Sequence, residues 1–519
     1  MTVRIHIYRH LQMDKDKSTG LQDLIDGGAP PKIHRDYHIL EKDGELYAAT
    51  LNQTDLVTNS NKFHVMQLLQ NNKTNSYALF SRGGRVGYSG QWNCELYLDL
   101  APALADWDSK FHEKTGYSWN NKDNVTPQPG KYDYIAMKYE DELRQKEGAD
   151  GSKVLERVAP KLVPKKKVMD KQVEALMGLI WDPEVFKRAM EQVRIDSKRM
   201  PLGKISKRQL DKAYGILDQL SKVLDGKDPV NGKDVGLSTE DKEKMTLRLS
   251  SAFYTIIPYA CGMSTPPVIH TEDDVSEKIE QLKVLDELIV AQEKMKSGHS
   301  LDLSEKYLSL NCGLKTCVEP GVPQMISEYI ANTSGATHNF RLKLQQVFEV
   351  NRKGESARFD PFLKMKNRQL LWHGSRLANY VGILSQGLRI NPSNVVKTGS
   401  MFGNGVYFAN ACTKSAQYMA CNRGNKGLIM LCEVALGETY ELLSSKYVTT
   451  LPSGKSSTHG VGKSTPDPAG SRTLSDGTIV PMGKLVSRQN FSGTLRYDEF
   501  IVYNSDQIRI KYLLLVEVH

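Results

Sequence analysis

Cysteine is scarce in this chain and poorly placed for chemistry. The 519 residues hold seven, Cys94, Cys261, Cys312, Cys317, Cys412, Cys421 and Cys432, an odd number without a CxxC pair. Cys312 and Cys317 lie close, but no second Cys/His pair is near enough to complete a zinc-finger spacing. The spacing argues against a disulfide framework and against structural zinc. Long apolar runs are missing too: none approaches the ~18–20 residues of a membrane span. Met1 to Gly20 is polar and charged and lacks an apolar signal-peptide core, so the chain reads as intracellular. With 39% hydrophobic residues it reads as soluble and globular. Its length suits roughly three or four domains of about 100–200 residues. Acidic residues are outnumbered, 60 against 69 Lys and Arg, for a net charge of +9. That excess suits a polyanionic partner such as DNA, through phosphate neutralisation. A basic solvated surface gives the same count, so charge alone leaves both readings open.

The chain shows no internal repeat, and its patterning changes along its length. Residues 1–35 read as a short arm ending in Gly27-Gly28-Ala29-Pro30-Pro31. Over 36–139 the chain is strand-rich. Tyr47–Leu51, Lys62–Leu69 and Ser76–Phe80 carry β-branched or aromatic residues between Asn-rich turns, and a helix is expected over Ala101–Lys114. Residues 140–167, with Pro160, Pro164 and Lys165-Lys166-Lys167, read as an exposed charged linker. From 168 to 297 the spacing is helical. Leu210, Ala213, Tyr214, Leu217, Leu220 and Leu224 form one face; Ile279, Leu282, Leu285 and Ile289 form another. Core packing accounts for both stripes. Residues 298–519 are mixed, with short apolar strands at Leu428–Leu436, Phe500–Tyr503 and Tyr512–Val518 and long loops such as Pro452–Gly483. Strands without regular intervening helices argue against a doubly wound parallel sheet.

Two glycine-rich segments mislead. Gly460-Val461-Gly462-Lys463-Ser464-Thr465 ends like a phosphate-binding loop, but Ser457 stands where that motif needs its first Gly. Pro466 and Pro468 then prevent a helix from following. Gly403-Asn404-Gly405 starts a dinucleotide fingerprint whose third Gly is replaced by Phe408. Four other segments fit one site: Leu371–Arg376, Met401–Ala409, Lys414–Tyr418 and Tyr497–Tyr503. Gly374, after His373, permits close backbone approach to a carboxamide. Tyr407 and Tyr418 suit stacking on a flat cationic ring. Ser415 suits a hydrogen bond to that ring's amide, and Glu499, opening an apolar strand, suits the rim of a cleft. Singly, such residues are more often core or solvated surface. Only their conjunction points to a site.

In this order and spacing the four segments resemble the NAD-binding signature of the poly(ADP-ribose) polymerases. Tyr380–Ile390 and Gly427–Gly437 extend the resemblance through the catalytic domain. Met200–Ser206 and Phe253–Pro258 resemble the family's regulatory helical domain. Leu51–Thr54, Asn61–Phe63 and Pro129–Tyr132 resemble its small DNA-responsive domain, named for a Trp-Gly-Arg triplet. Coverage is roughly residues 36–519. The resemblance implies an α+β multidomain fold: a β-rich WGR-like domain (36–139), an all-α regulatory domain (168–297) and a mixed α/β ADP-ribosyltransferase domain (298–519) with a largely antiparallel split sheet. It implies His373, Tyr407 and Glu499 as a triad acting on NAD as substrate, without a metal. His373 would hold the adenosine ribose, Gly374 and Ser415 the nicotinamide amide, and Tyr407 and Tyr418 the ring. Ser375, Gly382 and Arg389 match further NAD-contacting positions. Glu499 would stabilise the charge that develops as the glycosidic bond breaks. The implied partners are DNA strand breaks, chromatin proteins and the chain itself as acceptor, and the implied location is the nucleus.

The chain departs from the family pattern at three places. Its triplet is Gly83-Gly84-Arg85, which removes a large stacking surface, while Arg82 and Arg85 remain for phosphate or interdomain contacts. Ser400 and Asn410 stand where the family usually has Tyr and Asp. Two alternatives stay open: a mono-ADP-ribosyltransferase with the same triad, and a DNA-end binding scaffold with weak catalysis.

Overall fold

Alternating burial builds the first sheet. Ala48–Asp55, Ser60–Asn71, Tyr77–Arg85 and Gln91–Tyr97 pair antiparallel in chain order, with Asp133–Ile135 on the far edge. One face buries Leu51, Met66, Leu68 and Leu79 against Trp107 and Phe111 of the helix Leu100–Thr115. Gly116 ends that helix in the left-handed region, at φ 81°, where a Cβ would be strained. The opposite face buries Ala48, Leu69, Ala78 and Phe80 beneath Ile25, Ala29 and Ile33. The last residues of the expected arm are therefore part of this fold. Pro31 opens a short helix, Pro31–Asp36, in the position where its missing N–H costs nothing. These results come from a computed structural model, which describes residues 21–22, 24–122, 128, 130–135, 169–193, 207–295, 302–390 and 401–519.

Arg82 belongs to the packed face. It is 8% exposed, pairs with Asp26 at 2.6 Å, and sits 4.9 Å over the Phe63 ring. Expected for phosphate or interdomain contacts, the guanidinium here ties the segment that carries Asp26 to the sheet.

The chain divides into two compact units, Met1–Arg157 with Arg194–Val275, and Val158–Val193 with Ser276–His519. The helical span at 168–297 is thus shared between them. In the first unit Lys207–Leu224 buries Leu210, Ala213, Tyr214, Leu217 and Leu220. Its neighbour Thr239–Ile256 is seated on the strands by polar contacts. Asn52 Nδ2 donates to the Tyr254 and Thr255 carbonyls (3.0 and 2.9 Å), and Asn61 Nδ2 to that of Tyr259 (2.9 Å). Arg85 donates to the Gly262 and Ser264 carbonyls (2.7 and 3.0 Å). Asn52 and Asn61 are fully buried, so each contact offsets the desolvation of an amide.

The second unit carries a split sheet. One part has seven strands, in the order Arg472–Thr473, Ile479–Val480, Arg368–Gly374, Lys426–Ala435, Ile508–Val518, Leu342–Arg352, Cys312–Thr316. The other has four: Val406–Phe408, Glu499–Val502, Ser457–Gly460, Thr439–Leu442. Pairing is antiparallel except at Gln369 with Ile479 and between the last two strands. Met325, Ile326, Tyr329 and Ile330 of the helix Gly321–Asn332 pack on Trp372, Ile429, Leu431 and Leu514. The stretch 452–483, expected as loop, contributes Ser457–Gly460 to the smaller part. Its Ser and Gly residues carry no apolar run; the pairing comes from Glu499–Val502 on one side and Thr439–Leu442 on the other. No helix of the described residues is long and apolar enough to cross a membrane.

Replacing Arg82 by Met leaves the part-buried Asp26 carboxylate without its cation, with the Gly28 N–H still donating to it. The first unit should lose about 3–5 kcal/mol of stability, read as a lower midpoint of its urea or thermal transition.

Candidate active site

Trp372 is fully buried against Tyr329, ring centroids 4.7 Å apart, and exchanges both backbone hydrogen bonds with Ala409 (2.9 and 3.1 Å). This bridge joins the two parts of the sheet and brings the next residue, His373, beside Tyr407. His373 Nδ1 lies 2.8 Å from the Tyr407 carbonyl. A carbonyl only accepts, so Nδ1 carries the proton and Nε2 is left as an acceptor. Burial pushes the imidazole pKa down to about 4, which keeps the ring neutral at pH 7.

Gly374 follows because nothing larger fits: a Cβ there would fall inside the Ser415 carbonyl. The Ser415 hydroxyl donates to the Trp372 carbonyl at 2.9 Å, leaving its lone pairs for a ligand. Tyr407 is fixed as a platform: its hydroxyl donates to the Gly403 carbonyl (2.8 Å) and accepts from the Phe402 N–H (2.9 Å). Tyr418 is 57% exposed, so one ring is held and the other is free to adjust. Glu499, 5% exposed at the start of its strand, forms an ion pair with Lys414.

These side chains converge. His373, Gly374, Ser375, Arg389, Tyr407, Ser415, Tyr418 and Glu499 line one cleft of about 490 Å³. Gly382 lies outside it, on the helix Tyr380–Gln386, where a Cβ would fall on Glu287 Oε2. Glu287 belongs to the helix Glu272–Met295, whose residues Ser276–Glu287 close one side of the cleft. Arg389 meets Glu287 at 2.6 Å and Asp286 at 3.0 Å. Arg85 points to the helical segment of its own unit, and Ser400 lies outside the described residues.

Lys414 and Glu287 are the residues the sequence did not single out. Lys414 had one signal, its place beside Ser415 in a segment already of interest. Glu287 sits off the Ile279, Leu282, Leu285, Ile289 stripe and so looks like part of an ordinary solvated face. Chemically, the cleft offers a flat slot between aromatic rings, a carboxylate beside a cation, and a neutral imidazole. Among the described residues no base stands ready to activate Ser415, whose hydrogen goes to a carbonyl. The arrangement suits stabilising a developing cation rather than nucleophilic catalysis.

The sequence matches the poly(ADP-ribose) polymerase catalytic domain over residues 323–518, the poly(ADP-ribose) polymerase regulatory domain over 168–307 and the WGR domain over 47–126. It is 36% identical to poly [ADP-ribose] polymerase 2 of Arabidopsis thaliana over 95% of this chain and 76% of that protein. Poly [ADP-ribose] polymerase 2-A of rice, Oryza sativa subsp. japonica, is also 36% identical, over 95% and 74%. Poly [ADP-ribose] polymerase 1 of Danio rerio is 37% identical over 96% of this chain, which spans 48% of that longer protein.

Two outcomes test the cleft. Gly374→Ala should displace Ser415 and lower kcat/KM for NAD by about 100-fold, measured by steady-state turnover. The second concerns Glu287, whose carboxyl is pushed up to about 7 by burial, against the pull of Arg389. With the helix seated, Glu287 keeps a proton that it would release above its ordinary 4.5 once freed. Seating is therefore favoured at low pH and weakens as pH rises through about 7. Turnover should climb more steeply between about pH 4.5 and about 7 in the parent than in Glu287→Gln.

Proposed function

The chain belongs to the poly(ADP-ribose) polymerase family, and from that premise we propose that its cleft transfers ADP-ribose from NAD to protein acceptors and to growing chains. NAD is the substrate. The bond between the nicotinamide-ribose C1′ and the ring nitrogen breaks, its electron pair goes to the ring, and nicotinamide leaves neutral. An acceptor oxygen bonds to C1′ and gives up its proton. His373 Nε2 accepts from an adenosine-ribose hydroxyl. The Gly374 backbone and Ser415 take the carboxamide, Tyr407 and Tyr418 the ring, and Ser375, Gly382 and Arg389 the rest of the dinucleotide. Glu499 accepts from the nicotinamide-ribose 2′-hydroxyl, stabilises positive charge on the breaking sugar and orients the incoming hydroxyl. The observation that carries this reading is the convergence of His373, Tyr407 and Glu499 on one cleft from both parts of the sheet.

DNA breaks act as the activator in this reading, in the nucleus, with the chain itself and chromatin proteins as acceptors. The helix Glu272–Met295 is the cover. Glu287 occupies the space beside Gly382 and engages Arg389, two positions assigned to NAD, so binding requires the helix to move. DNA must then prefer the form in which it has moved. The seam of Asn52, Asn61 and Arg85 is the element through which the strands report to the helices. Gly83 adds no stacking surface: a Cβ there would lie 2.8 Å from His64 Nδ1, which fills that space.

NAD consumption should rise on addition of nicked or 5′-phosphorylated DNA. Deleting 168–296 should make it independent of DNA; strict DNA dependence in that variant would sink the cover model. Glu499→Gln should lower turnover by about 100–1,000-fold while DNA binding survives. Full turnover there would favour a different site. Arg85→Ala should keep DNA-free turnover and lose most of the stimulation. Gel analysis of products from labelled NAD separates long polymer from a single unit.

A further inference from the structure

The carboxylate that precedes Glu499 is more heavily bound than Glu499 itself. Asp498 is 1% exposed. It accepts from the Gly462 N–H at 2.8 Å, from Asn410 Nδ2 at 3.0 Å, and from Arg488 Nη1 and Nη2 at 2.7 and 3.2 Å. His459 Nε2 lies 3.2 Å away. Burial opposes ionisation, yet His459 and Arg488 hold the group well below the usual carboxylate range, so it is an anion at neutral pH.

The partners arrive on three segments. Asn410 follows Tyr407 by three residues. His459 and Gly462 flank the end of the strand Ser457–Gly460, and Arg488 follows the strand Leu485–Ser487. The backbones close up as well: a Cβ on Gly462 would fall on the Tyr497–Asp498 peptide. Successive residues of a strand point to opposite sides. Glu499 faces Lys414 and the cleft, and Asp498 is absent from the cleft wall. Stability alone is a poor account of this gathering, because a buried ion pair is often no more stable than an apolar replacement.

We infer that Asp498 is a positioning residue. By holding Arg488, Asn410 and the Gly462 N–H behind the strand, it sets where the Glu499 carboxylate stands relative to the Tyr407 segment. The inference rests on the role given to Glu499 above. It also gives Asn410 a purpose: its amide donates to a neighbour that is itself the acid.

The test compares Asp498→Asn, Asn410→Ala and Glu499→Gln in the full chain, by NAD turnover and thermal unfolding. Asp498→Asn keeps shape and removes charge. It should lower kcat by about 10–100-fold, with KM for NAD within about threefold and the unfolding midpoint near the parent's. Asn410→Ala, which keeps the Arg488 pair, should lower kcat by a smaller factor in the same direction. Unchanged kcat in Asp498→Asn overturns the inference. So does a fall in kcat that tracks a fall in midpoint while Asn410→Ala stays fully active. Full activity in Glu499→Gln sinks the Glu499 reading itself. Loss there, with Asp498→Asn fully active, sinks only the positioning role.

Discussion

Two backbone hydrogen bonds between Trp372 and Ala409 hold the site together. They are the bridge between two sheet parts whose remaining ladders run separately. Everything that faces the cleft is indexed to them. Trp372, locked under Tyr329, sets His373 and Gly374 on one side, and Ala409 sets Tyr407 two residues back on the other. Tyr407 then returns a carbonyl to His373, and its strand pairs with the strand that Glu499 opens. A bridge built from peptide groups has little freedom to drift, because both N–H groups would be left buried and unpaired. That rigidity is what a site relying on preorganised charge needs.

Much of this was legible in the sequence because the motif residues are also the ones that backbone geometry constrains. Gly374 had to be Gly, since the Ser415 carbonyl occupies the space of a side chain. The face from Leu210 to Leu224 showed through its 3.6 period and the Tyr512–Val518 part of the last strand through its apolar run, and the structure extends them to Lys207–Leu224 and Ile508–Val518. What stayed hidden was set by partners far away in the chain. Ser457–Gly460 is a strand because Glu499–Val502 and Thr439–Leu442 offer it edges on either side. Glu287 matters only because Arg389, about a hundred residues on, meets it. The pairing of Arg82 was not visible because its acid, Asp26, lies 56 residues upstream in a stretch that reads as an arm.

The polar character of the contacts around both functional regions has a common physical sense. The seam at Asn52, Asn61 and Arg85 consists of side-chain donors on carbonyls, and the Glu287–Arg389 contact pairs a part-buried acid with a cation. Such contacts are directional, and once parted each group can pair with water, unlike the apolar packing beneath Trp107 or Trp372. An enzyme that must release a cover on a signal is better served by joints of the first kind than by fused cores. The apolar stripes of the helices supply the folding energy, and the polar joints supply the moving parts.

The segment around Asp26 carries a practical lesson for anyone trimming this protein. A boundary drawn at residue 36 from sequence pattern would remove Ile25, Ala29 and Ile33 and leave Phe80 and Leu69 bare. It would also strand the Arg82 guanidinium in a newly wetted groove. A shortened recombinant version cut there would be sticky and soft. Loss of DNA response in such a fragment would report a damaged scaffold, and would be misread as the mapping of a binding surface.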